Sequence, residues 1–309
     1  MKRSSAAWVL LGLGCFLVLV LFGGVFLFVG LTSSDGSSAP FALGGRVGIA
    51  DLEGVILSAE RMRETLEKFR KAPNVKAVVV RINSPGGGVA ASQEIAREIA
   101  RFRKDTKKPV VASMEAVAAS GGYYAASSAD RIVANAGTIT GSIGVIIQWV
   151  NYGDLMEWAK LRPVTFTTGA LKDSGNPMRP MREDEKAYFQ GLIERLRGQF
   201  RAAVAEGRKG KLKPGALDTL SDGRVVTGDE ALEMGLVDQL GDYRDAVDLA
   251  ARMGGLKTPA ETWHPRPPRP GLLTILFGGS SDDSSKSSLA ERLMSGVPVG
   301  GGWNVYFLW

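Results

Sequence analysis

The chain has 309 residues, 45% hydrophobic and 23% charged, with a formal net charge of +6. That length holds one large domain with appendages. A single cysteine, Cys15, excludes a disulfide framework and a cysteine-based metal site, so the core alone must stabilise the fold.

The first element is apolar. Ala6 to Leu31 contains no charged residue. At about 1.5 Å per helical residue it is long enough to cross a hydrocarbon core about 30 Å thick. A cleaved signal peptide would be shorter and would end in a small-residue cleavage site, which is absent. Residues 6–31 are therefore expected to be a membrane anchor. Residues 1–5, with Lys2 and Arg3, stay cytoplasmic by the positive-inside rule. The remainder is then extracytoplasmic, on the outer side of the cell membrane, where the basic charge meets little nucleic acid. The densest basic stretch, Arg195 to Lys213, reads as a solvated helix face, with anionic lipid headgroups as a second reading.

Residues 32–45, "TSSDGSSAPFALGG", read as a flexible linker. The folded domain is expected over 46–254. "RVGIADLEGVI" alternates as a strand, and "SAERMRETLEKFRKA" has helical spacing with Ser58 placed as N-cap. "VKAVVVRINS" is a near-continuous apolar strand, "ASQEIAREIARFRKDTKK" a helix and "PVVASMEAVA" a second buried strand. Such alternation predicts a parallel sheet built from right-handed βαβ crossovers. Strands at "DRIVANAG", "SIGVIIQWV" and "PVTFTTG" and helices at "GDLMEWAKL" and 183–206 complete the expectation. The last helix should bury Phe189, Leu192, Ile193, Leu196, Phe200 and Val204. Residues 255–309 form a Pro- and Ser-rich tail, expected to be partly disordered. Its short apolar pieces, "LLTILF" and "VYFLW", could add an edge strand, touch a bilayer or be covered by a partner.

Two glycine loops carry chemistry. Asn83-Ser-Pro-Gly-Gly-Gly88 lies between a buried strand and a helix. It lacks the G-K-[ST] ending of a phosphate loop. It reads as an oxyanion hole, which needs converging N–H groups, or as a plain strand–helix turn. Ala118-Ala-Ser-Gly-Gly122 has the small-x-Ser-x-small pattern of a nucleophile elbow, with a serine N-cap as the alternative. The only histidine, His264, sits in "TWHPRPPRP", beyond the expected domain, so a Ser-His-Asp triad is disfavoured. Serine nucleophiles without histidine use lysine. Such a lysine must be neutral, which requires its pKa to fall from about 10.4 to near 7–8 by burial.

The motifs "RINSPGGGV", "ASGGYYAAS", "TGSIGV", "TTGALKDSGNPMRPM" and "DGRVVTGDEALEMGLVDQLG", in this order, resemble the bacterial signal peptide peptidase A family. The resemblance covers Arg46 to Met253. It implies an α/β fold, the Clp protease/crotonase-like βαβ superhelix. It also implies Ser120 as nucleophile and Lys172 as general base, with Gly87 and Gly121 donating the oxyanion-hole amides. From the residues alone Lys172 reads as an ordinary exposed lysine, and the family's usual aromatic before it is replaced by Leu171. The implied activity is cleavage of remnant signal peptides and other hydrophobic, unfolded segments, without metal or cofactor. Tandem family members combine serine and lysine from different copies. This chain has one copy, so a homo-oligomeric ring with Ser120 and Lys172 from neighbouring subunits is expected. A crotonase-type acyl-CoA enzyme and a non-catalytic membrane assembly scaffold are the alternatives.

Overall fold

The computed structural model describes residues 44–265 and the backbone of Tyr306–Phe307. The expected anchor at 6–31 and most of the tail lie outside the described residues. Among the described residues no helix is long and apolar enough to cross a membrane.

The chain folds in the order β1 (Arg46–Ile56), α1 (Glu60–Lys71), β2 (Val75–Gly88), α2 (Val89–Thr106), β3 (Val110–Ala119), α3 (Gly121–Ala126), β4 (Arg131–Ala134) and β5 (Ile139–Gly141). Then come α4 (Gly153–Trp158), α5 (Glu183–Gly207), α6 (Ala216–Leu220), β6 (Val225–Val226), α7 (Gly228–Glu233), β7 (Gln239–Leu240), α8 (Tyr243–Met253) and β8 (Glu261–Trp263). Tyr306–Phe307 form β9. All nine strands share one sheet, with the path β6-β5-β3-β2-β1-β8; β4 joins β3 to β7, and β9 joins β2. The β1–β2, β2–β3 and β3–β4 pairs are parallel, as the alternation of strands and helices dictates.

The central strands are apolar throughout because both their faces are covered. Val78, Val80 and Ile82 of β2 point into one cluster with Leu66 and Phe69 of α1 and Ile95, Ile99 and Phe102 of α2. Ala77 and Val79, on the opposite face, meet Val47, Ile49, Val111 and the Ala246, Val247 and Ala250 stripe of α8. The Ser58 hydroxyl accepts the Glu60 amide at 3.1 Å, but it lies one residue ahead of Ala59, the N-cap of α1.

Three expectations are corrected. Residues 142–150 and 163–169 form no strand, although their composition suits one. Ile146 makes only a single bridge, and Val150, Val164 and Phe166 stand in solvent, Phe166 at 93% exposure. On α5, Phe189, Phe200 and Val204 are buried, but Leu192, Ile193 and Leu196 are only half-buried. The basic stretch from Arg195 to Lys213 is not wholly a solvated face. Arg208 is buried, pairs with Asp238 at 2.7 Å and donates from Nε and Nη2 to the Gly235 carbonyl. Lys211 reaches the same carboxylate at 2.8 Å. Burial raises the Asp238 pKa, but the Arg208 and Lys211 hydrogen bonds outweigh it and hold the group below its usual range.

Candidate active site

Parallel strands gather their C-terminal ends on one edge of the sheet, where ligands of open α/β sheets bind. Here that edge carries Ile56, Gly87 and, one residue beyond β3, Ser120. His264 follows β8, which pairs with Arg46–Gly48 at the opposite end of β1. The lone histidine is thus mounted beside the sheet, at the end away from Ser120.

Ser120 turns the chain from β3 into α3 at φ 53° and ψ −116°. A non-glycine residue at positive φ is strained unless its surroundings hold it there. The amide of Ser120 donates to the Gly141 carbonyl at 2.9 Å, and its carbonyl accepts the Tyr124 amide at 2.8 Å. Farther along α3, the Tyr123 hydroxyl donates to the Leu236 carbonyl at 3.0 Å. Burial pushes that phenol's pKa well up, so it stays a neutral donor that pins the helix. Ser142, at φ 53°, follows Gly141 and repeats the unusual backbone next to this tether. Nothing in the sequence distinguished it, because a backbone dihedral leaves no compositional mark on a serine.

The serine N-cap reading fails: Ser120 makes no side-chain capping bond. Its Oγ is buried and has no hydrogen-bond partner among the described residues. A buried hydroxyl without a partner costs about 1–3 kcal/mol, so its persistence calls for a functional account.

The first glycine loop is not a turn. β2 stays extended through Gly88, so Gly86, Gly87 and Gly88 form the end of a strand. The loop is braced from below: Gly86 N donates to Ser84 Oγ at 3.1 Å, and Ser84 Oγ donates to the Gly54 carbonyl at 2.6 Å. The two glycine loops touch. A Cβ on Gly121 would lie 3.3 Å from the Gly86 Cα and 2.3 Å from Ser92 Oγ, the hydroxyl that donates to the Gly88 carbonyl. A Cβ on Gly87 would lie 2.2 Å from the Ile56 carbonyl oxygen. Only glycine fits at these contacts, so the backbones close in on the ground beside Ser120.

Lys172 is exposed, and no hydrogen bond joins it to Ser120 within the chain. Its loop is nonetheless fixed by residues that the motif reading passed over. Arg179 donates from Nε to Asp173 Oδ2 at 3.0 Å and from Nη2 to the Asp173 carbonyl at 2.8 Å. It also grips Glu185 with Nη1 and Nη2. Glu185 is fully buried and further accepts the Arg182 amide at 2.9 Å. The Arg179 hydrogen bonds, against the cost of burial, bring the Glu185 pKa down to about 2.

Residues 102–257 match the model of peptidase family S49. A putative signal peptide peptidase SppA of Enterococcus faecium is 40% identical over 59% of this chain and 52% of its own length. The putative protease slr0021 of Synechocystis is 38% identical over 82% of this chain and 90% of its own. The chain belongs to peptidase family S49, the signal peptide peptidase A family. Protease 4 of Haemophilus influenzae shares 33% identity over 67% of this chain, which spans only 35% of that protein. Several S49 relatives are thus much longer than the segment they share with this chain. The mixed α/β sheet is consistent with the Clp protease-like fold of the family.

Proposed function

We propose that this S49 peptidase is a membrane-anchored serine endopeptidase that uses a Ser120–Lys172 dyad on remnant signal peptides and other hydrophobic, unfolded segments. The observation that carries the reading is the state of Ser120: buried, strained and unpartnered, between two abutting glycine loops. In this mechanism Ser120 Oγ attacks the scissile carbonyl carbon while neutral Lys172 Nζ takes its proton. The Gly87 and Gly121 amides hold the oxyanion. Lys172 returns the proton to the leaving amine, then activates the water that hydrolyses the acyl-enzyme.

The dyad is completed between subunits of a homo-oligomeric ring. Lys172 lies exposed within one chain, and the segment before it presents Trp158, Val164, Phe166 and Leu171 to solvent. A neighbour that covered these groups would bury the lysine and favour its neutral form. Residues 6–31 anchor the ring, with the peptidase domain on the extracytoplasmic side. A fluorophosphonate should label the wild type but not Ser120→Ala. Absence of labelling on correctly folded wild type would leave the assembly-scaffold reading.

A further inference from the structure

The edge of the sheet opposite Ser120 is basic. It is built from the loops that lead into the parallel strands: 72–74 before β2, 107–109 before β3 and 254–260 before β8. A cleft of about 500 Å³ opens there, lined by Arg103, Lys104, Lys107, Lys108, Asp130 and Met253. Burial, and then the nearby charge of Lys76, lowers the Lys108 pKa. A Cβ on Gly45 would lie 2.4 Å from Leu256 Cδ2 and 2.8 Å from Lys76 Cγ, so the start of β1 and the segment after α8 meet at this edge. The carboxylates here are already engaged: Asp105 pairs with Arg70 at 2.7 Å, Glu261 with Arg46 at 3.2 Å, and Asp130 with Arg103. Lys108 is engaged too, donating to the Phe69 and Ala72 carbonyls at 2.7 and 2.9 Å, where α1 ends. Lys76, Lys104, Lys107, Arg252 and Lys257 are exposed and make no ion pair among the described residues.

We propose that this edge docks on an anionic bilayer surface, with Lys76, Lys104, Lys107, Arg252 and Lys257 against lipid phosphates. The proposal rests on the anchor reading of residues 6–31. Two observations support it. The first is where the chain enters. Arg46 opens β1 at this edge, and only residues 32–45 separate it from the apolar run, so this edge is the nearer one to the anchor along the chain. The second is charge complementarity. Exposed, unpaired lysines and arginines attract anionic headgroups, and the attraction acts within a screening length of about 8–10 Å. Compensation of helix ends does not account for them all, because Lys76 belongs to β2 and Lys257 lies beyond α8. The active site is then held off the lipid. β3 has 10 residues, each rising about 3.3 Å, so Ser120 lies about 30 Å along the strand from this edge. A hydrophobic segment reaches the nucleophile only after it has left the bilayer.

The test uses the full chain in lipid nanodiscs of phosphatidylcholine alone or with about 30% phosphatidylglycerol. The readout is the rate at which a water-soluble acylating reagent modifies each lysine, followed by mass spectrometry, and it is independent of catalysis. Lys76, Lys104, Lys107 and Lys257 should react about threefold or more slowly in the anionic discs. Salt at about 1 M, which shortens screening to about 3 Å, should restore their rates. Lys160 and Lys186, exposed elsewhere on the domain, should react equally in both lipids. Equal rates for the edge lysines in the two lipids would overturn the docking. Excess inorganic phosphate added to the phosphatidylcholine discs should protect none of them; protection there would replace the bilayer with a free phosphate ligand. Lys104→Glu with Lys107→Glu reverses the charge at two positions that make no ion pair, and a thermal melt checks that the variant folds. Protection of Lys76 and Lys257 should disappear in it, and protection that survived would overturn the electrostatic contact. A chain that fails to enter phosphatidylcholine discs would remove the anchor, and this proposal with it, while leaving the labelling of Ser120 to decide the peptidase reading.

Discussion

Arg179 and Asp173 are joined twice, side chain to side chain at 3.0 Å and side chain to carbonyl at 2.8 Å, so the residue after Lys172 is fixed through both its carboxylate and its backbone. The same guanidinium holds the buried carboxylate of Glu185 at the first turn of α5. One planar cation thereby ties the lysine loop to a long helix. A lysine in its place could not bridge the two carboxylates, because an ammonium lacks the rigid fork.

Arg179→Lys should therefore lower kcat on a hydrophobic peptide by about 10- to 100-fold, the scale of a general base displaced by about 1 Å. Steady-state kinetics beside a thermal melt separates the effects. A rate within twofold of wild type would show that the clamp does not position Lys172.

Glu185 also makes stability depend on pH. Its folded-state pKa of about 2 lies below that of a free glutamate, near 4.3. A depressed carboxylate stabilises the fold above the unfolded pKa, and that stabilisation is lost as pH falls through the folded value. The denaturation midpoint should drop between about pH 4.5 and 2, and less steeply in Glu185→Gln. That variant should also be less stable than wild type at pH 7, because it loses the ion pair with Arg179. Parallel pH profiles for the two proteins would show that another group is responsible.

The parts of this fold legible in the sequence were those whose residues satisfy one another locally. The run Val78-Val79-Val80 announces a strand covered on both faces, and the structure places it in the middle of the sheet between two clusters. The sharp turn at Ser120 was legible because its glycine neighbours leave a compositional trace. Residues 163–169 were misread because strand propensity states how well a residue fits a pleated surface, not whether an edge is available. Arg208 was misread because its partner Asp238 lies 30 residues away, and a charge's burial depends on that partner. Arg179 and Glu185 were missed for a related reason: an arginine in a basic chain gives no sign that it bridges two carboxylates.

Gly87→Ala tests how tightly the strand end is built. The added methyl would sit 2.2 Å from the Ile56 carbonyl oxygen and 2.5 Å from the Ile56 amide nitrogen, both backbone atoms that cannot rotate away. β1 and β2 must then separate, at a cost of about 1–3 kcal/mol. The Gly87 amide should move with them, so kcat should fall by about 100-fold or more, the usual effect of losing an oxyanion donor. Unfolding in urea and peptide hydrolysis together check both parts. Full activity with lowered stability would remove Gly87 from the oxyanion hole.

The shared-site arrangement has its own test, by mixing. Ser120→Ala and Lys172→Ala chains should each be inactive alone, since on the proposed dyad one lacks the nucleophile and the other the base. If neighbouring subunits supply the two residues, a mixed boundary can pair an intact Ser120 from one chain with an intact Lys172 from the next. With random co-assembly about a quarter of such boundaries would be complete, so recovered activity should approach about a quarter of wild type. If both residues of a site belonged to one chain, every site in the mixture would lack one of them and no activity would return. Lys172→Arg in place of Lys172→Ala should give the same pattern, because a guanidinium does not deprotonate in a protein and cannot act as the base. Co-assembly verified by tagged pull-down, without any recovered hydrolysis, would exclude the shared site while leaving Ser120 labelling to decide the nucleophile.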